Sequence, residues 1–279
     1  MDSDPSGLSD EDFRFFTGLI HRRFGINLTQ DKRTLLVGRL TKMLREKGIP
    51  DFHAYRQLLE GPDGEAELDE LVNRISTNFT FFFREPAHFD FFRTVALPEM
   101  KARHDCAGSR DLRVWCAAAS SGEEPCSIAI AMREFFGTEY GRWSGGLLAT
   151  DISAQALGVA RCGVYPEDRL ENMPAALRNR YFTRAADGEG WQVSQAILGD
   201  ITYRRLNLMN ENLPFKSAFD VIFCRNVMIY FDQATRDALV DRLARLIVPG
   251  GYLFIGHSES IGRGHAMLDY IKPATYRRI

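Results

Sequence analysis

From about residue 112 onward, short apolar runs rich in β-branched and aromatic residues alternate with amphipathic stretches, and this alternation constrains the fold more than any other feature. Such a pattern builds βαβ units and therefore a mainly parallel sheet covered by helices, the α/β class. The runs that read as strands are 112–117, 146–150, 219–224 and 252–256. Helices are expected between them at 125–136, 154–162 and 234–247, the last stopped by Pro249-Gly250-Gly251. Residues 181–206 break the alternation. They carry Trp191, Val193, Ile197, Ile201 and Tyr203, with Gly188 and Gly190 between the Tyr181-Phe182 pair and Trp191, so a small antiparallel insertion is expected there rather than a crossover helix.

The front of the chain has another texture. Residues 1–8 are polar and acidic and read as a loose arm. Ser9 and Asp12 then stand at capping-box spacing, Phe13, Phe16, Leu19 and Ile20 recur at helical intervals, and Gly25 is a stop. A second helix is expected over 30–47, with Leu35, Leu36, Leu40, Met43 and Leu44 on its inner face and Gly48-Ile49-Pro50 ending it. Shorter helices follow at 51–59 and 65–75, separated by a turn at Gly61-Pro62-Asp63-Gly64. The expected organisation is an all-helical domain over 1–75 and an α/β domain over 76–279.

Charge limits what such a protein binds. Thirty-five Lys+Arg stand against 37 Asp+Glu for a net charge of −2, which argues against a surface that wraps nucleic acid. No apolar stretch approaches the roughly 18 residues of a membrane span, and Met1-Asp2-Ser3-Asp4 is acidic where a leader is basic, so a soluble cytoplasmic protein is expected. The five cysteines are odd in number and include no C-x-x-C pair. They read as reduced thiols, Cys116 and Cys224 as small buried hydrophobes, and no metal site is expected.

In an open α/β sheet, ligands bind beyond the carboxyl ends of the strands. After the first strand, Ala117-Ala118-Ala119-Ser120-Ser121-Gly122 leads into Glu123-Glu124-Pro125, a run of small residues opening a helix. It contains neither G-x-G-x-x-G nor a phosphate-cradling lysine motif, and two adjacent carboxylates repel a phosphate. They suit an ammonium or sulfonium group, or they serve only the helix dipole. Asp151, at the second strand tip, is placed to accept hydrogen bonds from two ribose hydroxyls, or caps the helix that follows. Together these features point to a nucleoside without a phosphate, such as S-adenosylmethionine. Arg225 and Asn226 end a buried apolar strand that needs no polar pair for packing. The Asp/Asn-Pro-Pro-Tyr/Phe run of enzymes that methylate amino groups is absent there, which counts against amine methylation of nucleic acid.

Five motifs in order carry a specific resemblance: Asn78-Phe79-Thr80-Phe81-Phe82-Phe83-Arg84-Glu85, Ser121-Gly122-Glu123-Glu124-Pro125, Ala149-Thr150-Asp151-Ile152, Cys224-Arg225-Asn226-Val227-Met228-Ile229-Tyr230-Phe231 and Gly256-His257-Ser258-Glu259-Ser260. In these the chain resembles the bacterial chemotaxis receptor methyltransferases, the CheR family, over nearly its whole length. The resemblance implies a Rossmann-like S-adenosylmethionine-dependent methyltransferase sheet, a small N-terminal helical domain and an inserted β-subdomain. It implies methyl transfer from S-adenosylmethionine to glutamate side chains on chemoreceptors, with S-adenosylhomocysteine as product.

It further implies that Asn78, Thr80 and Arg84 close over the cofactor, that Glu123 and Asp151 face its amino-acid and ribose portions, and that Asn207, Leu208, Arg225 and Asn226 flank the adenine and the reacting end. Cys126 departs from the family, which usually has Tyr there. The phenylalanines of 79–92 read as core and domain-interface packing. Arg84, Arg225 and Tyr230 are candidates for holding the substrate carboxylate. Helix 30–47 carries Lys32, Arg33, Arg39, Lys42, Arg45 and Lys47 against a single Glu46 between positions 32 and 47, and is the candidate docking face for an acidic receptor bundle. The insertion is where some family members grip a receptor C-terminal peptide, and a monomer is expected. Two other readings stay open: a non-catalytic S-adenosylmethionine-sensing adaptor, and a methyltransferase for another protein or a small molecule.

Overall fold

The computed structural model describes residues 7–62, 64–76, 78–186, 188–262 and 264–279. Most of the acidic arm expected at 1–8, and Asp63 of the expected turn, lie outside the described residues. The chain divides into two units, one running to Thr77 and taking in Tyr230–Thr235, the other comprising Asn78–Ile229 and Arg236–Ile279.

Local signals account for the first unit. Helix α1 (Asp10–Phe24) begins where the Ser9 hydroxyl accepts the Asp12 N–H at 3.0 Å, and it ends on Gly25 at φ 72°. Three acids in its first turn and three basic residues in its last complement the helix dipole. Helix α2 (Arg33–Lys47) follows a 3-10 turn at Gln30–Lys32 and buries Leu36, Leu40, Met43 and Leu44. Leu35, expected on that inner face, is 45% exposed, so the apolar stripe is narrower than the spacing implies. Helices α3 (Phe52–Glu60) and α4 (Gly64–Ile75) complete the bundle, with Tyr55 stacked on Phe16 at 5.8 Å. The segment after the Arg225-Asn226 motif joins this unit: Phe231 bridges to Ile26, and the Asn27 N–H donates to the Tyr230 carbonyl at 2.8 Å.

The second unit opens with helix α5 (Pro86–Phe91), which runs through a π-helical turn at Phe92–Ala96 into α6 (Leu97–Cys106). Strand β1 (Asp111–Cys116), helix α7 (Glu123–Phe136), strand β2 (Ser144–Asp151) and helix α8 (Ala154–Cys162) form the first βαβ repeat. A peripheral region follows, with strand β3 (Val164–Tyr165), helix α9 (Ala175–Tyr181), strands β4 (Phe182–Arg184) and β5 (Trp191–Val193) and helix α10 (Gln195–Gly199). Strand β6 (Ile201–Arg205), strand β7 (Phe219–Cys224), helix α11 (Gln233–Arg245) and strands β8 (Ile247–Ile255), β9 (Leu268–Lys272) and β10 (Thr275–Arg278) end the chain.

Seven strands make the main sheet in the order β6-β2-β1-β7-β8-β10-β9, parallel from β6 to β8 and antiparallel at β10 and β9. Every residue of β7 is buried, as a central parallel strand requires. Phe223 on β7 stacks on Phe254 of β8 at 4.5 Å, and Phe89 and Phe92 pack on that pair.

Three expectations change. The insertion expected over 181–206 is smaller at its end and begins earlier: the separate antiparallel sheet is β3-β5-β4, whereas β6 pairs parallel with β2 and belongs to the main sheet. The antiparallel pair β9 and β10 lies beyond the expected strands. Phe79 is 66% exposed, unlike Phe82, Phe89 and Phe92, so it does not pack in the core.

Candidate active site

The chain leaves β1 toward β2 on one side of the sheet, while β7 lies on the other, so the sheet's topological switch point falls between β1 and β7. The candidate residues gather on the loops above it. After β1, the Ala117 N–H donates to the Phe223 carbonyl at 2.8 Å, which ties the small-residue loop to β7. Gly122 turns that loop into α7 at φ 101°, and a Cβ there would stand 2.6 Å from the Tyr165 hydroxyl and 2.7 Å from Ala160 Cβ. Only glycine fits this position.

Asp151 shapes the same loop from the tip of β2. Its Oδ2 accepts the Ser120 N–H at 2.8 Å and its Oδ1 the Ser153 N–H at 2.9 Å, while Ser153 supplies the helix cap expected of Asp151. Burial raises the Asp151 carboxyl above its usual range, and these backbone donors oppose the shift. The Ser120 hydroxyl in turn reaches Asn78 Oδ1 at 3.4 Å. Beyond Asp151, the Leu206 N–H donates to the Asp151 carbonyl at 3.0 Å and brings Asn207 and Leu208 to the same strand tip. Asn207 Oδ1 accepts the Met209 N–H at 2.9 Å, and Leu208 is buried.

Glu123 is 1% exposed and accepts the Ser121 hydroxyl at 2.6 Å. Burial raises its carboxyl, with Ser121, its own backbone N–H and Arg169 pulling the other way. Arg169 lies 3.7 Å from Glu123 and donates to the Thr80 carbonyl, while the Phe82 N–H donates to the Arg169 carbonyl at 3.2 Å. Arg169 thus fastens the 78–84 segment beside Glu123. It stands in a 3-10 turn at Glu167–Leu170, outside the recognised motifs, and no local signal marks it.

Arg225 is buried and held on two sides. Its Nη1 donates to Glu124 at 2.7 Å, and its Nη2 donates to Glu85 at 2.9 Å and to the Arg84 carbonyl. Burial would raise the Glu85 carboxyl, but the Arg225 charge and hydrogen bonds from Arg225, His257 and Asn226 bring it down to about 2. Glu124 goes the other way, raised by a deeper burial that Arg225 only partly offsets. Asn226, at φ 56°, turns its amide to Glu85 at 3.2 Å.

That turn hangs on one side chain. Glu259 accepts four backbone N–H groups: Oε2 from Asn226 at 3.0 Å and Gly256 at 2.5 Å, Oε1 from Met228 at 2.7 Å and Ile229 at 3.2 Å. Gly256 permits this close approach, since a Cβ there would stand 2.4 Å from the Asn226 amide. Glu259 lies inside a recognised motif, but its role as the anchor of another loop was not legible.

Ten of the positions singled out from the sequence form the second unit's loops. Asn78, Thr80, Glu123, Asp151, Asn207 and Leu208 line the β1 and β2 ends, and Arg84, Arg225 and Asn226 the β7 end with Glu124. Arg84 is half-buried and donates from Nη1 to the Phe79 carbonyl at 3.1 Å. Tyr230 is counted with the first unit, through its carbonyl's bond to Asn27.

Comparison with known proteins agrees with this division. Residues 78–276 match the family model described as "CheR methyltransferase, SAM binding domain", and residues 11–76 match "CheR methyltransferase, all-alpha domain". A chemotaxis protein methyltransferase of Borreliella burgdorferi is 42% identical over 93% of this chain and 91% of its own length. One from Escherichia coli is 40% identical over 91% of this chain and 85% of its own. Chemotaxis protein methyltransferase 2 of Pseudomonas aeruginosa is 39% identical over 95% of this chain and 92% of its own.

Proposed function

The chain belongs to the CheR methyltransferase family, and from that premise we propose that it transfers the methyl group of S-adenosylmethionine to glutamate side chains of chemoreceptors. It is an S-adenosylmethionine-dependent methyltransferase, and S-adenosylhomocysteine is the second product. The observation that carries the reading is the small-residue loop at the switch point, flanked by the buried carboxylates of Asp151 and Glu123 in place of a phosphate cradle.

The residues present fit this cofactor. Asp151 binds backbone N–H groups with both oxygens, and a carboxylate has acceptor capacity beyond two such bonds, enough for two ribose hydroxyls. Glu123 offers a buried negative charge suited to an ammonium group. We assign Asn78, Thr80 and Arg84 to the segment that covers the cofactor, and Asn207, Leu208 and Asn226 to its nucleoside and reacting ends. The cofactor supplies a methyl group activated by a sulfonium. A glutamate has an ordinary pKa of about 4.3 and is already an anion at neutral pH, so no general base is required. The protein's task is to align the carboxylate for in-line attack and to exclude water.

Of the three candidates for that task, Arg84 is best placed, because both terminal nitrogens of Arg225 are engaged by Glu124, Glu85 and the Arg84 carbonyl. We assign Arg225 to positioning the loop and Arg84 to steering the carboxylate. The decisive experiment is transfer of labelled methyl to membranes containing chemoreceptors, followed by base treatment. Base-labile label is expected from an ester; base-stable label would indicate N-methylation, and none would favour an adaptor.

Receptor docking through α2 is part of the same reading. Arg33 pairs with Asp10 at 2.7 Å, Lys47 with Glu67 at 2.5 Å, Lys32 stands 3.5 Å from Asp31, and Arg39 donates to the Ile75 carbonyl. Reversal of Arg39 therefore disturbs the bundle itself, and Lys42 and Arg45, both exposed, are the cleaner probes. Reversing Lys42 and Arg45 to Glu is expected to slow receptor methylation about 10-fold at low salt, with the difference shrinking as salt rises. Equal loss at all ionic strengths, or a parallel loss of S-adenosylmethionine binding, would count against docking.

The edge of the β3-β5-β4 sheet is the place for a receptor C-terminal peptide, added as a further strand. We place the enzyme in the cytoplasm as a monomer beside its receptor. Among the described residues, no helix is long and apolar enough to cross a membrane.

A further inference from the structure

His88 is fully buried, yet neither of its ring nitrogens makes a hydrogen bond among the described residues. A buried imidazole without a hydrogen bond calls for a physical reason. Its surroundings supply one. Nδ1 of His88 lies 3.3 Å from Glu85 Oε2, and Nε2 of His257, from the loop after β8, lies 4.0 Å from the same oxygen. The two imidazoles meet edge to face with centroids 4.6 Å apart. One ligand atom from each of Glu85, His88 and His257 can be chosen so that all lie within 4.8 Å of one another.

We propose that Glu85, His88 and His257 form a binding site for a divalent transition metal of the zinc type, and that its occupancy inhibits methyl transfer. Two imidazoles and one carboxylate, with coordination positions left for water, form a donor set that zinc accepts and that magnesium or calcium, which require oxygen ligands, do not. Metal bonds of about 2.0–2.2 Å bring ligand atoms to roughly 3.3–3.6 Å from one another. The Glu85–His88 separation already meets this, and His257, whose side chain is 47% exposed, has freedom to swing inward.

Charge makes the site inhibitory. Glu85 and Glu124 both pair with Arg225, and the Arg84 and Lys272 charges also act on the cluster, so a cation is held there by its ligands rather than by an excess of negative charge. Once bound to Glu85, it competes with Arg225 for the same oxygen, which Arg225 Nη2 holds at 2.9 Å. Lys272, whose charge also acts on His88, and Arg225 both oppose the metal, so moderate rather than structural affinity follows. The chain's cysteine pattern does not foretell such a site, since its ligands come from the start of α5 and the loop after β8.

The inhibitory part rests on the proposed methyltransferase reaction, whereas binding does not, so the test reads them separately. The full chain, stripped of metal with a chelator, is titrated with cobalt(II) and its visible d–d bands are followed, then zinc is added as competitor. One cobalt per chain is expected, displaced by zinc, without the near-ultraviolet thiolate band that binding by the exposed Cys106 or Cys162 would give. His257→Gln and His88→Gln should each weaken binding about 10–100-fold. Zinc should lower wild-type turnover several-fold, reversibly with chelator, and leave each variant near its own metal-free rate. A thiolate band, no stoichiometric binding, or equal affinity in His257→Gln overturns the site; binding without inhibition overturns its effect on the reaction.

Discussion

Replacing Arg84 with alanine is expected to lower kcat/KM for receptor methylation by about 10²-fold or more while the protein stays folded. Two features separate this side chain from its neighbours. It is half-buried and donates to the protein from Nη1, at the Phe79 carbonyl, so its guanidinium keeps donors for a substrate carboxylate. Its structural contribution comes from the backbone, since Arg225 binds the Arg84 carbonyl, which alanine retains. The melting temperature should therefore shift by no more than about 2 °C. Arg84→Lys keeps the charge but loses the planar fork, and intermediate turnover is expected. Arg225→Ala supplies the contrast. It strands the half-buried carboxylate of Glu85 and the buried one of Glu124 without their cation, a loss of about 3–5 kcal/mol in stability. Kinetics and melting measured on both variants decide the matter: wild-type turnover in Arg84→Ala sinks its assignment, and an unchanged melting temperature in Arg225→Ala sinks the account of its clamp.

The difference between these two arginines marks what was legible in the sequence. A polar Arg225-Asn226 pair at the end of an apolar strand is visible as a local anomaly, because β7 alone has no packing need for it. Where the guanidinium points is decided by Glu85, 140 positions away in the chain, and Glu124, 101 away, and no periodicity carries that information. Helices α1 and α2 were readable because their ends are written locally, in Ser9, Gly25 and Gly48. Strand β6 reads as part of an antiparallel ribbon for a physical reason. Parallel strands announce themselves as continuous apolar runs only when both faces are covered, and β6 lies at the sheet edge with buried residues at Ile201 and Tyr203 alternating with exposed ones. Its period of two matches that of an antiparallel ribbon, and only its pairing with β2 distinguishes them.

Glu259→Ala is expected to lower kcat for methyl transfer about 10²-fold and to cost about 3–5 kcal/mol of stability, although Glu259 touches neither substrate nor cofactor in the assignment above. The loop after β7 must hold Asn226 at φ 56° and carry Arg225 into its clamp, and a non-glycine residue in that backbone region persists only when its surroundings enforce it. The enforcement is the Glu259 carboxylate, which gathers the N–H groups of Asn226, Met228 and Ile229 on one side and Gly256 on the other. Burial raises its carboxyl above the usual range, and those four donors oppose the shift. Glu259→Gln preserves size but offers one acceptor oxygen and turns an NH2 group toward N–H donors, so it should recover little of the activity. A purely structural role would lower the melting temperature and leave kcat intact at temperatures where the variant is folded. A positioning role lowers kcat under those same conditions, with faster hydrogen exchange confined to residues 225–229. Native kcat in folded Glu259→Ala would refute the anchoring role.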